Sequence, residues 1–109
     1  MRQWLIPTHL LCNQHLLGEH VEHHMFVGCI NKGTSIKGYV SNGLIETNSL
    51  QKRHTEIVNE MKLRGFNHQS KLAKFIYPKM GHVDIEANIK ELYRRCSKCR
   101  KLIREEVKI

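Results

Sequence analysis

Apolar residues recur at helical spacing along this chain, rather than alternating as they would in half-buried strands. The first helix is predicted from about residues 7–10 to Ile30, and the turn at Gly33 ends it. One of its apolar stripes, with members four or seven positions apart, consists of Leu10, Leu17, Val21 and Met25. A further apolar edge consists of Leu16, Val27 and Ile30. A helix that is apolar on several sides is expected to lie centrally, with neighbours on more than one face.

Two further helices are predicted downstream. Asn48 or Ser49 is expected to cap the second helix, which ends at Gly65. Its apolar stripe consists of Leu50, His54, Ile57 and Met61. Asp84 is expected to cap the third helix. The stripe of this third helix consists of Ile85, Ile89, Leu92, Cys96, Cys99 and Ile103.

The segments between these helices predict loops. Residues 33–48 are rich in glycine and are expected to hold one short helix at Ser35–Val40. Residues 66–83 form a polar, basic connection. A chain of 109 residues suits one domain with a core of modest size. The sequence therefore predicts an all-α fold, a single small domain over residues 1–109 with three main helices and long loops.

The charge balance limits the choice of partner. Lysine and arginine outnumber aspartate and glutamate by 18 to 10, which gives a formal net charge of +8. Such a charge on a small protein favours polyanions, either nucleic acid or an acidic membrane surface. No run approaches the ~20 apolar residues of a membrane span, and Pro7, His9 and Asn13 interrupt any secretory signal. Four cysteines without a signal indicate a reducing compartment, so we expect a cytoplasmic protein without disulfides.

The segment Gln14–Met25, QHLLGEHVEHHM, holds four histidines and two glutamates. It does not contain the HExxH pattern of zinc peptidases, and its H-x-x-x-E-H run is one residue longer than the inverted pattern. His15, Glu19 and Glu22 share one face of the predicted helix. On spacing alone, a metal on this helix is not favoured, and an ordinary glutamate exposed to solvent is the simpler interpretation of Glu22.

The pair Cys96-Ser-Lys-Cys99 has the spacing of zinc ligands. A structural zinc needs four ligands, and the chain has no second CxxC pair, although Cys12 and a histidine would complete a site across the fold. Both cysteines also continue the apolar stripe of the third helix, where small buried thiols fit well. The sequence therefore favours buried thiols, and we expect neither a metal nor a cofactor.

The run Gln14–Glu22, QHLLGEHVE, resembles the first helix of the pyrimidine-dimer DNA glycosylases, the endonuclease V family of T-even phages, where QHLMAEYRE stands in the same place. The likeness is closer to the small phage and bacterial branch of that family. Four blocks of that branch are present, and they read WLIPTHLLCNQHLLGEHVEHHM, KGTSIKGY, RHTEIVNEMKLRGFNH and VDIEANIKELYRRCSKCR. The resemblance implies a small, all-helical, metal-independent enzyme of phage or bacterial cells that cleaves damaged DNA through a Schiff base.

The resemblance also implies which residues react. The family nucleophile is the α-amino group of the mature chain, and such an amine has a lower pKa than a lysine, so more of it is free base at neutral pH. The bulky Arg2 should prevent removal of the initiator methionine, so Met1, once deformylated, should carry the nucleophile. Glu22 aligns with the catalytic carboxylate, which stabilises the imine and assists proton abstraction from the sugar. Glu19 is the alternative carboxylate and a further candidate for contact with DNA.

Other residues are expected to bind double-stranded DNA that contains abasic sites or pyrimidine dimers. Gln14 and His15 match positions at the mouth of the family's active site, and Arg2 is expected to bind phosphate. The candidate contacts to the DNA backbone are Lys32, Lys37, Lys52, Arg53, Lys71 and Lys74. We expect the protein to act as a monomer.

Two departures separate this chain from the T-even enzyme. Two arginines that hold kinked DNA there fall at Val21 and Met25 here, and the chain ends in REEVKI instead of an aromatic tail. Abasic-site lyase activity is therefore the firmer expectation, and excision of pyrimidine dimers follows from the family alone. The alternatives are a non-catalytic basic module that binds nucleic acid, a zinc-dependent nuclease, and a structural or partner-binding α-domain.

Overall fold

The computed structural model describes residues 1–68 and 71–107, and all the regular structure in those residues is helical. The helices are α1 (Asn13–Lys32), α2 (Lys37–Ser41), α3 (Leu50–Leu63), α4 (Ile85–Arg95) and α5 (Ser97–Val107), with short 3-10 turns at Thr8–Leu10 and Thr47–Ser49. The predicted all-α fold class is confirmed. Parts of the predicted 66–83 connection and of the chain end REEVKI lie outside the described residues.

Helix α1 starts later than predicted and ends where a glycine was expected to end it. The chain is extended at Leu11 and Cys12, so the turn at Thr8–Leu10 is separate from α1. At the other end Gly33 takes a left-handed conformation with φ of 75°, and its N–H reaches the carbonyls of Cys29 and Ile30. A glycine takes this conformation at little steric cost.

The buried side of α1 is not the apolar stripe that its spacing predicted. Val21 and Met25 are about half exposed, at 53% and 50%, whereas Glu19 and His23 are fully buried. The prediction was wrong here because the buried polar groups have partners elsewhere in the fold. With those partners the burial of a polar group costs little.

Helix α3 follows its prediction closely. All four residues of its predicted stripe are buried: Leu50, His54, Ile57 and Met61. Gly65 follows the helix with φ of 84°. Ser49 lies at the N-cap without a side-chain capping bond, because its hydroxyl donates to the carboxylate of Glu46 instead.

The predicted third helix is two helices. Asp84 caps α4 as expected, since its Oδ1 accepts a hydrogen bond from the backbone N–H of Ala87 at 3.0 Å. The chain then leaves the helical conformation at Cys96, with φ of −124° and ψ of 110°, and α5 begins at the next residue. This break is why there are more helices than the three main ones predicted.

Two apolar clusters form the core, and α1 contributes to both. The first gathers the N-terminal segment, α3, α4 and α5, and includes Trp4, Ile6, Leu11, Leu16, Ile57, Leu92, Cys99 and Ile103. The second lies at the other end of α1 and consists of Phe26, Val27, Ile36, Ile45 and Leu50. In the described part of the chain, none of the helices combines the length and the apolar character that crossing a bilayer requires.

Candidate active site

The first six residues lie outside the helices, with a left-handed backbone conformation at Leu5 (φ of 56°), and are held by buried polar groups. Gln3 is fully buried, and its backbone N–H donates to the carbonyl of Leu44 at 2.7 Å. Its side-chain Oε1 accepts from the backbone N–H of Glu46 at 2.9 Å. From the opposite side, the amide of Asn88 donates to the carbonyl of Trp4 at 2.9 Å. These bonds fix the direction of the chain next to its first residue.

Helix α1 holds the same segment through Glu19. The Glu19 carboxylate accepts hydrogen bonds from Nε of Arg53 at 2.6 Å and from Nη2 of Arg53 at 2.9 Å. Both side chains are buried. The backbone amides of Trp4 and Leu5 also face this carboxylate. Burial raises the pKa of Glu19, and the bonds from Arg53 together with the two nearby amides oppose that effect.

His23 completes the support, and its tautomer follows from its partners. Its Nδ1 lies 2.8 Å from the carbonyl oxygen of Glu19, so Nδ1 carries the proton and donates. Its Nε2 lies 3.2 Å from Gln3 Nε2, which is a donor because Gln3 Oε1 is already an acceptor. Burial lowers the pKa of His23 to about 4, in agreement with a neutral ring.

These supports bring the two predicted reactive groups together. The α-amino nitrogen of Met1 lies 3.7 Å from Oε1 of Glu22, and their side chains are 14% and 27% exposed. Burial raises the pKa of Glu22, while the charge of the chain terminus and a bond from the Arg2 backbone oppose the rise. A primary amine beside a half-buried carboxylate can attack a carbonyl carbon while the carboxylate accepts a proton nearby.

The surroundings of this pair are partly apolar and partly cationic. Val21 and Met25, on the same helix as Glu22, are exposed. The guanidinium of Arg2 lies over the ring of Trp4 at 4.4 Å, and that of Arg95 lies over the same ring at 4.8 Å. Arg95 was not singled out from the sequence, because only the tertiary fold brings α4 to the N-terminal segment.

The predicted DNA-binding residues differ in how far they are exposed. Lys32, Lys37, Lys52, Lys71, Lys74 and Gln14 are exposed, as a backbone contact requires. Arg53 and Glu19 are buried against one another, which corrects the expectation that they contact DNA: they position the N-terminal segment instead. His15 is half-buried, and its Nδ1 lies 3.2 Å from Cys12 Sγ and 3.6 Å from Cys99 Sγ. The ring nitrogen expected at the mouth of the site therefore faces thiols.

The residues that sequence reasoning missed are the buried polar ones, Gln3, His23 and Asn88. Gln3 carried a weak signal, since it is a polar residue next to the apolar run WLI. Asn88 carried none, because its side-chain amide donates to backbone carbonyls 84 and 85 positions away and its Oδ1 accepts from Arg2.

Two groups of metal-ligating side chains lie outside the Met1–Glu22 pair. In the described residues, one ligand atom from each member lies within 4.8 Å of the others in each group. We call them the thiol cluster, which is Cys12, His15, Cys96 and Cys99, and the histidine cluster, which is His20, His24, His54 and His68. The sequence favours buried thiols over zinc for the first cluster, and no spacing in the sequence predicts the second.

Comparison with known proteins gives one match. A family model described as pyrimidine dimer DNA glycosylase matches residues 1–74. The matched span includes Met1 and Glu22 together with α1, α2 and α3, and it ends before α4. None of the curated proteins matches the chain, and no solved structure does.

Proposed function

The chain belongs to the pyrimidine dimer DNA glycosylase family, and on this premise we propose that it is a DNA repair enzyme that cleaves abasic sites through a Schiff base formed by the Met1 α-amine. The observation that carries this proposal is the 3.7 Å separation between the Met1 nitrogen and the Glu22 carboxylate. We propose in addition that the same amine excises the damaged base of a pyrimidine dimer.

The lyase reaction needs a nucleophile and a base within reach of one sugar. The free amine adds to C1′ of the opened abasic sugar, and loss of water leaves a protonated imine. Glu22 then accepts the proton from C2′, whose electron pair forms an enamine between C1′ and C2′. Return of the nitrogen lone pair restores the imine, forms a double bond between C2′ and C3′, and expels the 3′-phosphate with the electron pair of the C3′–O bond. Water hydrolyses the remaining imine and restores the amine of Met1.

Excision of a base uses the same nucleophile. The Met1 amine attacks C1′ of the damaged nucleotide as the bond to the base breaks, and the departing base takes a proton. The product is an N-glycosylamine at C1′. Protonation of O4′ and opening of the sugar ring then convert it to the same protonated imine on Met1 that the lyase reaction uses. Excision requires the damaged nucleotide to move out of the base stack so that C1′ reaches a nucleophile fixed on the protein, whereas an abasic sugar has no base to unstack.

The polar network around Gln3 supports this assignment. A flexible chain terminus would have to lose its freedom in the transition state, whereas this terminus is held by Gln3, Glu19 and Asn88 before DNA binds. A chain that begins with Met1 has a bulky second residue, Arg2, which disfavours removal of the methionine. The proposal requires the mature chain to begin at Met1, so that the amine lies where the network holds it.

The charge distribution supports a DNA substrate. The lysines proposed to contact phosphates are all exposed: Lys32, Lys37, Lys52, Lys71 and Lys74. Their contribution is affinity and salt dependence, and it carries no information on the lesion. Selection of a lesion would then depend on Val21 and Met25, which are exposed on the same helix as Glu22. These apolar residues stand where the T-even enzyme has arginines.

The test is covalent trapping with borohydride on an oligonucleotide that holds one abasic site. Reduction of the imine should yield one protein–DNA adduct with the free chain terminus and none after acetylation of the α-amine. A duplex with one pyrimidine dimer then tests excision separately. If the acetylated protein forms the adduct as well, a lysine is the nucleophile and the proposal is wrong. If no adduct forms although DNA binds, the protein is a basic DNA-binding module.

A further inference from the structure

The thiol cluster joins the start of α1 to the break between α4 and α5. Cys12 Sγ lies 3.2 Å from His15 Nδ1 and 3.9 Å from Cys96 Sγ, which is 84 positions away in sequence. Cys99 Sγ lies 3.6 Å from the same histidine nitrogen. The four cysteines of the chain are free thiols, so no disulfide accounts for this convergence.

These separations are those of ligands around one tetrahedral zinc ion. Zn–S bonds of about 2.3 Å and Zn–N bonds of about 2.0–2.1 Å place two sulfurs about 3.8 Å apart and a sulfur and a nitrogen about 3.6 Å apart. The observed separations are 3.9 Å for the sulfur pair and 3.2 and 3.6 Å for the mixed pairs, close to those values, and all four ligand atoms lie within 4.8 Å of one another. We propose that Cys12, His15, Cys96 and Cys99 bind one Zn²⁺.

The backbone around the cluster favours thiolates. The N–H of Cys12 donates to Cys99 Sγ at 3.2 Å, and the N–H of Cys99 donates to Cys96 Sγ at 3.5 Å. Amide donors aimed at sulfur stabilise negative charge there, which is a common arrangement around zinc-bound cysteines. Three thiols packed together without a cation would instead disfavour deprotonation of one another.

The local chain conformation explains how two short motifs meet. Cys12 and His15 have C-x-x-H spacing across the N-terminus of α1, and Cys96 and Cys99 have C-x-x-C spacing across the break before α5. An uninterrupted third helix would not place Cys96 at the extended position it occupies. The ion would therefore tie α4 and α5, which lie beyond the family match, to the matched part of the chain. With four protein ligands it is structural, since a catalytic zinc keeps an open position.

An independent observation supports a second metal site, in the histidine cluster. Nε2 of His20 and Nε2 of His68 are buried without a hydrogen-bond partner among the described residues. Nε2 of His24 and Nε2 of His54 lie 3.2 Å apart, close to the roughly 3.3 Å between two nitrogens on one tetrahedral zinc. A metal ion satisfies all four rings at once, whereas neutral imidazoles facing one another leave lone pairs unmatched. We propose that His20, His24, His54 and His68 bind a second Zn²⁺.

Metal analysis of the full chain, produced with zinc in the medium and purified without a metal-affinity tag, tests both sites. The wild-type protein should hold two zinc ions per chain. Cys96→Ser should hold one, and its control Cys29→Ser, a thiol outside the cluster, should hold two. His24→Gln should also hold one, and its control His82→Gln, an exposed histidine outside the cluster, should hold two. Zinc content equal to wild type in Cys96→Ser or in His24→Gln overturns the corresponding site.

A cobalt-loaded wild-type protein keeps the proposal testable if a variant fails to fold. Thiolate ligands give Co²⁺ a charge-transfer band in the near ultraviolet, and imidazole ligands do not. We expect two cobalt ions per chain. The ion in the thiol cluster should give that band, and the ion in the histidine cluster should not. Two cobalt ions without the band would overturn the thiol site, and a single ion with the band would overturn the histidine site. Lyase activity is not the readout, so failure of the proposed function would leave these measurements unaffected.

Discussion

The carboxylate of Glu19 and the guanidinium of Arg53 form a two-point ion pair inside the protein, with bonds of 2.6 and 2.9 Å between residues 34 positions apart. The pair joins α1 to α3, and its carboxylate faces the backbone amides of Trp4 and Leu5. It therefore supports the position of Met1 without contacting a substrate.

Removal of the positive partner should destabilise the fold. Arg53→Met leaves the Glu19 carboxylate buried without its cation, and a buried pair broken on one side costs about 3–5 kcal/mol. Lys52→Met removes an exposed charge next to it in sequence and should change the free energy of unfolding by less than about 0.5 kcal/mol. Urea denaturation followed by circular dichroism measures both. Equal stability of the two variants would mean that the pair contributes little to the fold.

Loss of the Glu22 carboxylate should slow strand cleavage far more than it weakens binding. Glu22→Gln keeps the side-chain shape and removes the proton acceptor, so the rate of β-elimination should fall by about 10²–10⁴-fold. Glu86→Gln makes the same change on the exposed side of α4 and should leave the rate unaltered. Single-turnover cleavage of an abasic-site oligonucleotide gives the rate, and a gel shift gives the affinity. Similar rates for the two variants would remove Glu22 from the reaction.

Gln3 should position the nucleophile. Gln3→Met preserves the length of the side chain and leaves the Glu46 N–H and the His23 Nε2 without partners, at about 1–3 kcal/mol for each group. The lyase rate should fall because Met1 is no longer held beside Glu22, and the rate should not recover at higher DNA concentration. Gln51→Met, on the exposed side of α3, is the control. A Gln3 variant with full activity at saturating DNA would contradict this role.

The exposed apolar residues on α1 offer a gain-of-function test. The single variants Val21→Arg and Met25→Arg should each add one phosphate contact if this face of α1 meets DNA. The dependence of log affinity on log salt concentration should then steepen by about 0.9 for each added contact. Leu63→Arg adds the same charge at an exposed position on α3 and should change the slope less. An equal change in the three proteins would indicate that this face of α1 does not meet DNA.

Metal removal should loosen the C-terminal helices. A chelator strong enough to remove zinc should lower the melting temperature of the wild-type protein and raise amide exchange in α5. The reason is that the thiol cluster is the proposed tie between α5 and α1. Cys96→Ser should show a smaller response to the chelator than wild type does, and Cys29→Ser should respond as wild type does. A melting temperature that does not respond to the chelator in wild type would contradict a structural zinc.

The sequence predicted those parts of the fold that depend on local chemistry. The α3 stripe, the Asp84 cap and the Gly33 end each follow from spacing or from backbone preference within one or two turns. The buried side of α1 could not be predicted this way, since Glu19 and His23 are buried only because Arg53 and Gln3 lie opposite them. The break at Cys96 could not be predicted either, because no proline or glycine lies near it in the sequence.

The candidate site shows the same difference between residues that the sequence predicts and residues that only the tertiary fold brings together. Met1 and Glu22 were predicted from a family resemblance, and they are in contact. The groups that bring them together are distant in sequence, because Asn88 and Arg53 act from α4 and α3. The thiol and histidine clusters also join distant segments, so a search for a second CxxC pair could not find them.

The central claim is that the Met1 α-nitrogen forms the covalent bond to C1′ of the damaged nucleotide. Mass spectrometry of the borohydride-reduced adduct, after digestion of the protein and the DNA, tests it most directly. We expect the sugar fragment on the N-terminal peptide, attached to the α-nitrogen of Met1. Attachment to a lysine side chain, or an N-terminal peptide that carries no sugar, would contradict the account.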